Sequence, residues 1–204
     1  MAKRMDEAFR FGPRAQVVIW LVLIAVGICG RLWQPTYNVT PLAAIALAAG
    51  TVLSSRLAAA AVPLASVMLS NLALSPYGSP LMAVIVYAAI AWPVLLGGLI
   101  RRQGWLAVIG GSLASSLVFF VVTNAAHWAL TLQYPHSPEG LLTCFTAALP
   151  FYRWMPAGDL AWSLAVFGGL AAAGPLIQST GPTRLVPVVA ARDRQCNPST
   201  RSLD

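Results

Sequence analysis

Residues 105–132 read WLAVIGGSLASSLVFFVVTNAAHWALTL, and these 28 positions contain no Asp, Glu, Lys or Arg. Roughly 20 apolar residues of helix cross the hydrocarbon core of a bilayer, so this block is long enough to span one. Lipid offers no hydrogen-bond partners, and a spanning backbone must satisfy its own groups, which makes the block a helix. Further apolar blocks occupy about 15–33, 40–55, 57–74, 79–100 and 157–178. They are continuously apolar, without the alternation that a membrane β-barrel requires.

Composition agrees with that reading. The 204 residues are 58% hydrophobic and 9% charged, with a mean hydropathy of +0.72. Soluble domains carry about 25% charged residues, and a chain this poor in charge cannot cover a surface with water-facing groups. The expected fold is all-α: a polytopic membrane protein of six transmembrane helices in one domain, residues 15–178. A short interfacial segment, 1–14, leads in, with Met5, Phe9 and Phe11 among basic residues. A polar, Pro- and Arg-rich tail, 179–204, is expected to be cytoplasmic and disordered. The first block lacks a small-x-small exit site and is expected to remain as a signal anchor.

The net charge of +7 does not point to nucleic acid, because the basic residues lie in short runs between the blocks, as topology determinants do. With the N-terminus inside, cytoplasmic segments hold Lys3, Arg4, Arg10, Arg14, Arg56, Arg101, Arg102, Arg184, Arg192, Arg194 and Arg201. The external segments hold Arg31 and Arg153. That bias predicts both termini in the cytoplasm. Only Ser54-Ser55-Arg56 separates the second and third blocks. A re-entrant hairpin there would leave Arg56 in lipid, at a cost of about 2.5–3.5 kcal/mol; two full spans bring it to the surface.

Ala44 and Ala48, Ala46 and Gly50, and the run Ala58–Ala61 give the second and third blocks small-residue faces. Such faces serve close helix packing within a bundle or docking of another membrane subunit. Pro63 and Pro93 lie inside blocks and are expected to bend them.

Polar and aromatic residues gather on the predicted external side: Arg31, Trp33, Gln34, Tyr37, Asn38, Thr40, Asn71, Ser75 and Tyr77, then Thr123 to His136, then Phe151 to Asp159. The longest connection, about 133–156, lies there as well. Interfacial aromatic belts account for Trp33, Tyr134 and Trp154. They account less well for Asn71, Asn124 and His127, which lie about a turn inside spans, where polar groups face a cavity or another helix. Asn124 and His127 are three apart and share a face. Asp159 follows Pro156-Ala157-Gly158 and fits either an N-cap or a group that orients a ligand.

Cys29, Cys144 and Cys196 have no metal-ligand spacing. There is no P-loop, HExxH or GxSxG motif, and no mid-span carboxylates of the kind proton-coupled transport uses. The expectation is a binder or scaffold with no catalytic residues, metal or cofactor. An enzyme built on His127 and Asp159 is the least supported alternative.

Several segments also carry a resemblance. Residues 38–50, NVTPLAAIALAAG, look like the "NFTPxxAxALxxG" start of a family of bacterial membrane proteins regarded as candidate substrate-binding (S) components of energy-coupling-factor transporters. Pro63 to Asn71 resembles that family's "PLxxMxxSD", and Phe119 to Trp128 its "FFxxTNxxxW". Tyr134 to Cys144 and Ala147 to Leu160 resemble "YPxTxxGLxxC" and "AAxPFF…GDL". Two departures stand out. Asn71 replaces an aspartate, and Ala125-Ala126-His127 adds an imidazole where the family has Phe-Gly.

The resemblance implies a six-helix subunit of the bacterial cytoplasmic membrane that captures a small water-soluble micronutrient from outside. A coupling transmembrane subunit and ATPase subunits would drive it, with docking on the alanine-rich second and third helices. The expected binding residues are Asn38, Asn71, Asn124, His127, Trp128, Arg153 and Asp159. The alternative is a structural or assembly subunit of a larger membrane complex, without a small-molecule site.

Overall fold

The computed structural model describes residues 9–33, 38–74 and 77–179. Most of the 1–14 segment, the 180–204 tail with Cys196, and Gln34, Tyr37 and Ser75 lie outside the described residues. Among the described residues the fold is all-helical, with no strand. In chain order the helices are α1 (Pro13–Leu32), α2 (Leu42–Val52), α3 (Arg56–Ser70) and α4 (Pro80–Ala91). A 3-10 stretch (Trp92–Leu96) leads into α5 (Gly97–Gln103), followed by α6 (Trp105–Leu130), α7 (Pro138–Tyr152) and α8 (Met155–Ser179).

Local sequence sets the starts. Ser79-Pro80 and Ser137-Pro138 each combine a capping hydroxyl with a proline whose fixed φ suits the first helical turn. The Ser79 hydroxyl accepts from the Met82 N–H at 3.1 Å and that of Ser137 from the Gly140 N–H at 3.2 Å. Ser55 caps α3 in the same way through the Ala58 N–H. Pro93, which cannot donate to the preceding turn, sits where α4 gives way to the 3-10 stretch. The bend expected at Pro93 is seen here as a change of helix type. α3 continues through Pro63.

Four rods are long and apolar enough to cross a membrane: Pro13–Leu32, Pro80–Gln103, Trp105–Leu130 and Met155–Ile177. They mark the chain as a helical membrane protein. On α6, Leu106, Ile109, Leu113, Leu117 and Val121 recur every three or four residues and are all exposed. A stripe of that width outside a packed bundle suits contact with lipid.

α2 and α3 are not among these four long rods. α2 has 11 residues, about 16 Å at 1.5 Å per residue, against a hydrocarbon core of roughly 30 Å. It is the buried axis of the bundle, packed against α1, α3, α5, α6 and α8. Ala44 through Ala49 are fully enclosed. This corrects the docking expectation for α2, since a helix enclosed by its own chain has no face left for a partner. The small residues serve internal approach instead. A Cβ on Gly50 would fall on the Val94 carbonyl, and one on Gly97 on the backbone of Gly50.

The 133–156 connection holds a further helix, α7, which rests on the end of α6. Phe145 and Tyr152 of α7 pack against Phe120 at centroid separations of 5.6 and 4.5 Å. Residues 9–12 depart from an interfacial segment, because Phe9 and Phe11 are buried and Phe9 meets Phe167 edge-on at 5.9 Å. Their aromatic surface closes one end of the bundle. At that end Gln16 accepts from the Ser54 N–H and hydroxyl, and Trp20 donates to the Ala58 carbonyl. The finish of α1, the start of α2, the finish of α3, the starts of α4 and α8, and α7 come together at the other.

Candidate functional site

At that second end lies a cavity of about 340 Å³. Two connections, the start of α2, the 3-10 stretch and the helices α1, α4, α6 and α8 shape it. Asn38 holds a left-handed backbone, φ 65°, a conformation Asn tolerates better than most residues. From there the chain turns through Thr40 and Pro41 into α2. The rim also includes Leu74 and Tyr77 from the α3–α4 connection. α4 contributes Met82 and Val86, α6 contributes Ser115, Phe119 and Thr123, and α8 contributes Asp159. The start of α8 is held against the Asn38 turn, because a Cβ on Gly158 would meet the Val39 side chain at 2.9 Å.

Arg31, near the end of α1, gives the wall its cation. Its Nη1 donates to the Val67 carbonyl at 3.2 Å, to Ser70 Oγ at 2.6 Å and to Asn71 Oδ1 at 2.6 Å. All three acceptors are neutral. Asn71 is held from its other side, with Nδ2 donating to the Tyr87 hydroxyl at 3.3 Å. Tyr87 meets Tyr77 edge-on at 5.8 Å. Burial pushes the Tyr77 phenol above its ordinary value, against a smaller downward pull from Arg31.

Asp159 supplies the acidic group and is 5% exposed. It does not cap a helix. α8 begins four residues earlier, at Met155, and the Gly158 N–H bonds back to the Trp154 carbonyl at 2.9 Å. Asp159 therefore stands in the second turn, where its carboxylate reaches across to α6 and accepts from Ser116 Oγ at 2.6 Å. One turn on, Ser163 donates to Ser112 at 3.3 Å. Asp159 pairs with neither Arg31 nor Arg153.

Of the seven residues expected to bind ligand, Asn38 and Asp159 line the cavity. Asn71 stands one bond behind it, fixing Arg31. The other four lie elsewhere. Asn124 bonds within its own helix, its side chain donating to the Phe120 carbonyl, while its backbone carbonyl accepts from Cys144 Sγ of α7 at 3.7 Å. His127 bonds Gln133 at 2.9 Å, and Trp128 donates to the Pro135 carbonyl at 2.9 Å. Arg153 is exposed, its guanidinium 5.3 Å from the Trp154 ring centre. Asn124 and His127 share a face by their spacing, but neither lines the cavity, and His127 bonds into the turn that follows α6.

Arg31, Thr40, Tyr77 and Thr123 were visible as external polar residues without being singled out for the site. Ser115, Ser116 and Phe119 were missed. The available signal was the run Ser112, Ser115, Ser116, Phe119 and Thr123, whose helical spacing puts one polar face along α6. Cys29 and Cys144 are free thiols. Among the described residues no three His, Cys, Asp or Glu side chains are grouped to hold a metal ion.

No curated protein and no solved structure matches this chain. The model of a family of unknown function (DUF6580) matches residues 11–180. That match spans the cavity and every described helix, and the chain therefore belongs to the DUF6580 family.

Proposed function

We propose that this protein is a substrate-capture subunit of a transporter, binding a small water-soluble molecule in the cavity at the α1–α3–α8 end. The observation that carries this reading is the cavity itself: about 340 Å³, walled by apolar side chains, with Arg31 and Asp159 on its surface. Ligand sites are commonly concave, mostly apolar and furnished with a few placed polar groups, with volumes from roughly 300 Å³ upward. A charged residue inside a membrane bundle is costly and marks function by default. An assembly subunit without a ligand would have no use for two charges held on an internal wall.

The same proposal includes the topology. The four long rods cross the bacterial cytoplasmic membrane, and α2 and α3, shorter as helices but extended by the non-helical residues 38–41 and 53–55, pass down and back between α1 and α4 as the other two of six spans, with both termini inside and the cavity facing out. α7 then lies at the outer surface. The chain has no nucleotide-binding motif, and partner subunits supply ATP hydrolysis, as the resemblance to energy-coupling-factor S components implies. The docking surface for a coupling subunit is not α2.

The test is a thermal-shift screen of the purified full chain against vitamins, amino acids, small organic acids and amines. Ligand bound only to the folded state stabilises it by about 2.7 kcal/mol at a hundred times Kd, which a melting curve resolves. A saturable rise in Tm that is lost in Arg31→Gln supports the proposal. Absence of any such rise across the panel favours the structural-subunit reading.

A further inference from the structure

We propose that the cavity selects a zwitterion of amino-acid size, with its carboxylate on Arg31, its ammonium group on Asp159 and an apolar side chain among Met82, Val86 and Phe119. This rests on the reading of the cavity as a ligand site and goes beyond it by naming the chemical class.

The charges make the argument. Arg31 is anchored through Nη1 alone, to a carbonyl, a hydroxyl and an amide oxygen. No carboxylate neutralises it, and its Nε and Nη2 have no partner among the described residues. That leaves one edge of a planar fork free, already oriented by three bonds. Such an edge matches a carboxylate in two parallel hydrogen bonds. Asp159 uses Oδ2 to accept from Ser116, and Oδ1 has no partner among the described residues. Among the described residues Trp92 Nε1 is the fully enclosed side-chain polar atom left unbonded. Asp159 Oδ1 is therefore not fully enclosed, and the cavity it lines is the space open to it.

Arg31 and Asp159 thus belong to one cavity, offer a basic and an acidic group and do not pair with each other. A buried ion without its counter-ion is expensive. A singly charged ligand would compensate one wall and leave the other; a zwitterion compensates both. The rest of the lining is largely aliphatic and aromatic, suited to a side chain such as that of leucine, methionine or phenylalanine. A volume of about 340 Å³ lies at the small end of the usual range for ligand sites. It fits a single amino acid better than a nucleotide.

The experiment compares, on the purified full chain, L-leucine, L-methionine and L-phenylalanine with their N-acetyl and carboxamide derivatives, by thermal shift and equilibrium dialysis. At least one free amino acid is expected to bind, with affinity falling at least tenfold when either end is blocked. Asn71→Asp is the matching variant. It is nearly isosteric and puts a carboxylate 2.6 Å from Arg31 Nη1 in place of the amide oxygen. It is expected to weaken the free amino acid at least tenfold while leaving the residual binding of the carboxamide unchanged. Blocked forms that bind as well as the free ones overturn the inference. So does a simple acid or amine that binds more tightly than any amino acid, although the ligand site itself would then stand. If no zwitterion, acid, amine or neutral vitamin binds, both the inference and the proposed function fall together.

Discussion

At the residue scale, the buried bond between Ser116 and Asp159 is a polar contact sensitive to change. A carboxylate that loses its only protein donor in a buried position loses more than the bond itself, because the group remains desolvated. Ser116→Ala is expected to lower unfolding stability by about 1–3 kcal/mol. Asp159→Asn should cost less, since its amide oxygen still accepts from the Ser116 hydroxyl. Thermal unfolding of the two single variants and the double variant is expected to give a coupling energy of about 0.5–3 kcal/mol; additive effects would mean that the contact contributes little. Asp159 stood out in the sequence because acidic residues are so scarce near the spans. Its partner did not, because 43 positions separate the two and nothing local links them. Asn124 and His127 show the opposite case: the helical spacing that put them on one face was right, but spacing cannot say what that face meets.

At the element scale, the crossing of α2 with the 3-10 stretch and α5 depends on two glycines. A methyl group on Gly97 would overlap the Gly50 backbone, which cannot move aside as a flexible side chain can. Gly97→Ala is expected to destabilise at the upper end of the roughly 1–3 kcal/mol that overpacking costs. Gly98→Ala has open space around its Cβ and should stabilise by up to about 1 kcal/mol through helix propensity. Melting temperatures of the purified variants, moving in opposite directions from adjacent positions, check this. Pro93 announced the helix break because the missing N–H is a property of the residue itself. α7 was not announced. Its 15 residues mix Glu139 and threonines with apolar positions, so they are too polar and too short to register as a span, and Ser137-Pro138 was not recognised as the start of a helix. The alanines of α2 were legible as a close-packing surface, but not which surface they met.

For the whole molecule, the expected orientation follows from where the arginines lie. In a variant with all three cysteines changed to serine, Leu132→Cys is expected to react with a membrane-impermeant maleimide in intact cells. Gln103→Cys should react only after permeabilisation. Both positions are exposed, so the reverse pattern would invert the topology. By itself, the sequence determined that the protein is helical, belongs in a membrane and carries its polar chemistry at one end of the chain's alternating course. Those properties follow from hydrophobic length, backbone satisfaction in lipid and the positions of charges along the chain, all of which are local. Only the tertiary structure decided that the second apolar block is an enclosed axis and that α7 packs on α6. It also decided that Arg31 and Asp159, rather than Asn124, His127 and Trp128, share the cavity. Those outcomes depend on which helix faces which, and that is fixed by contacts between residues tens of positions apart.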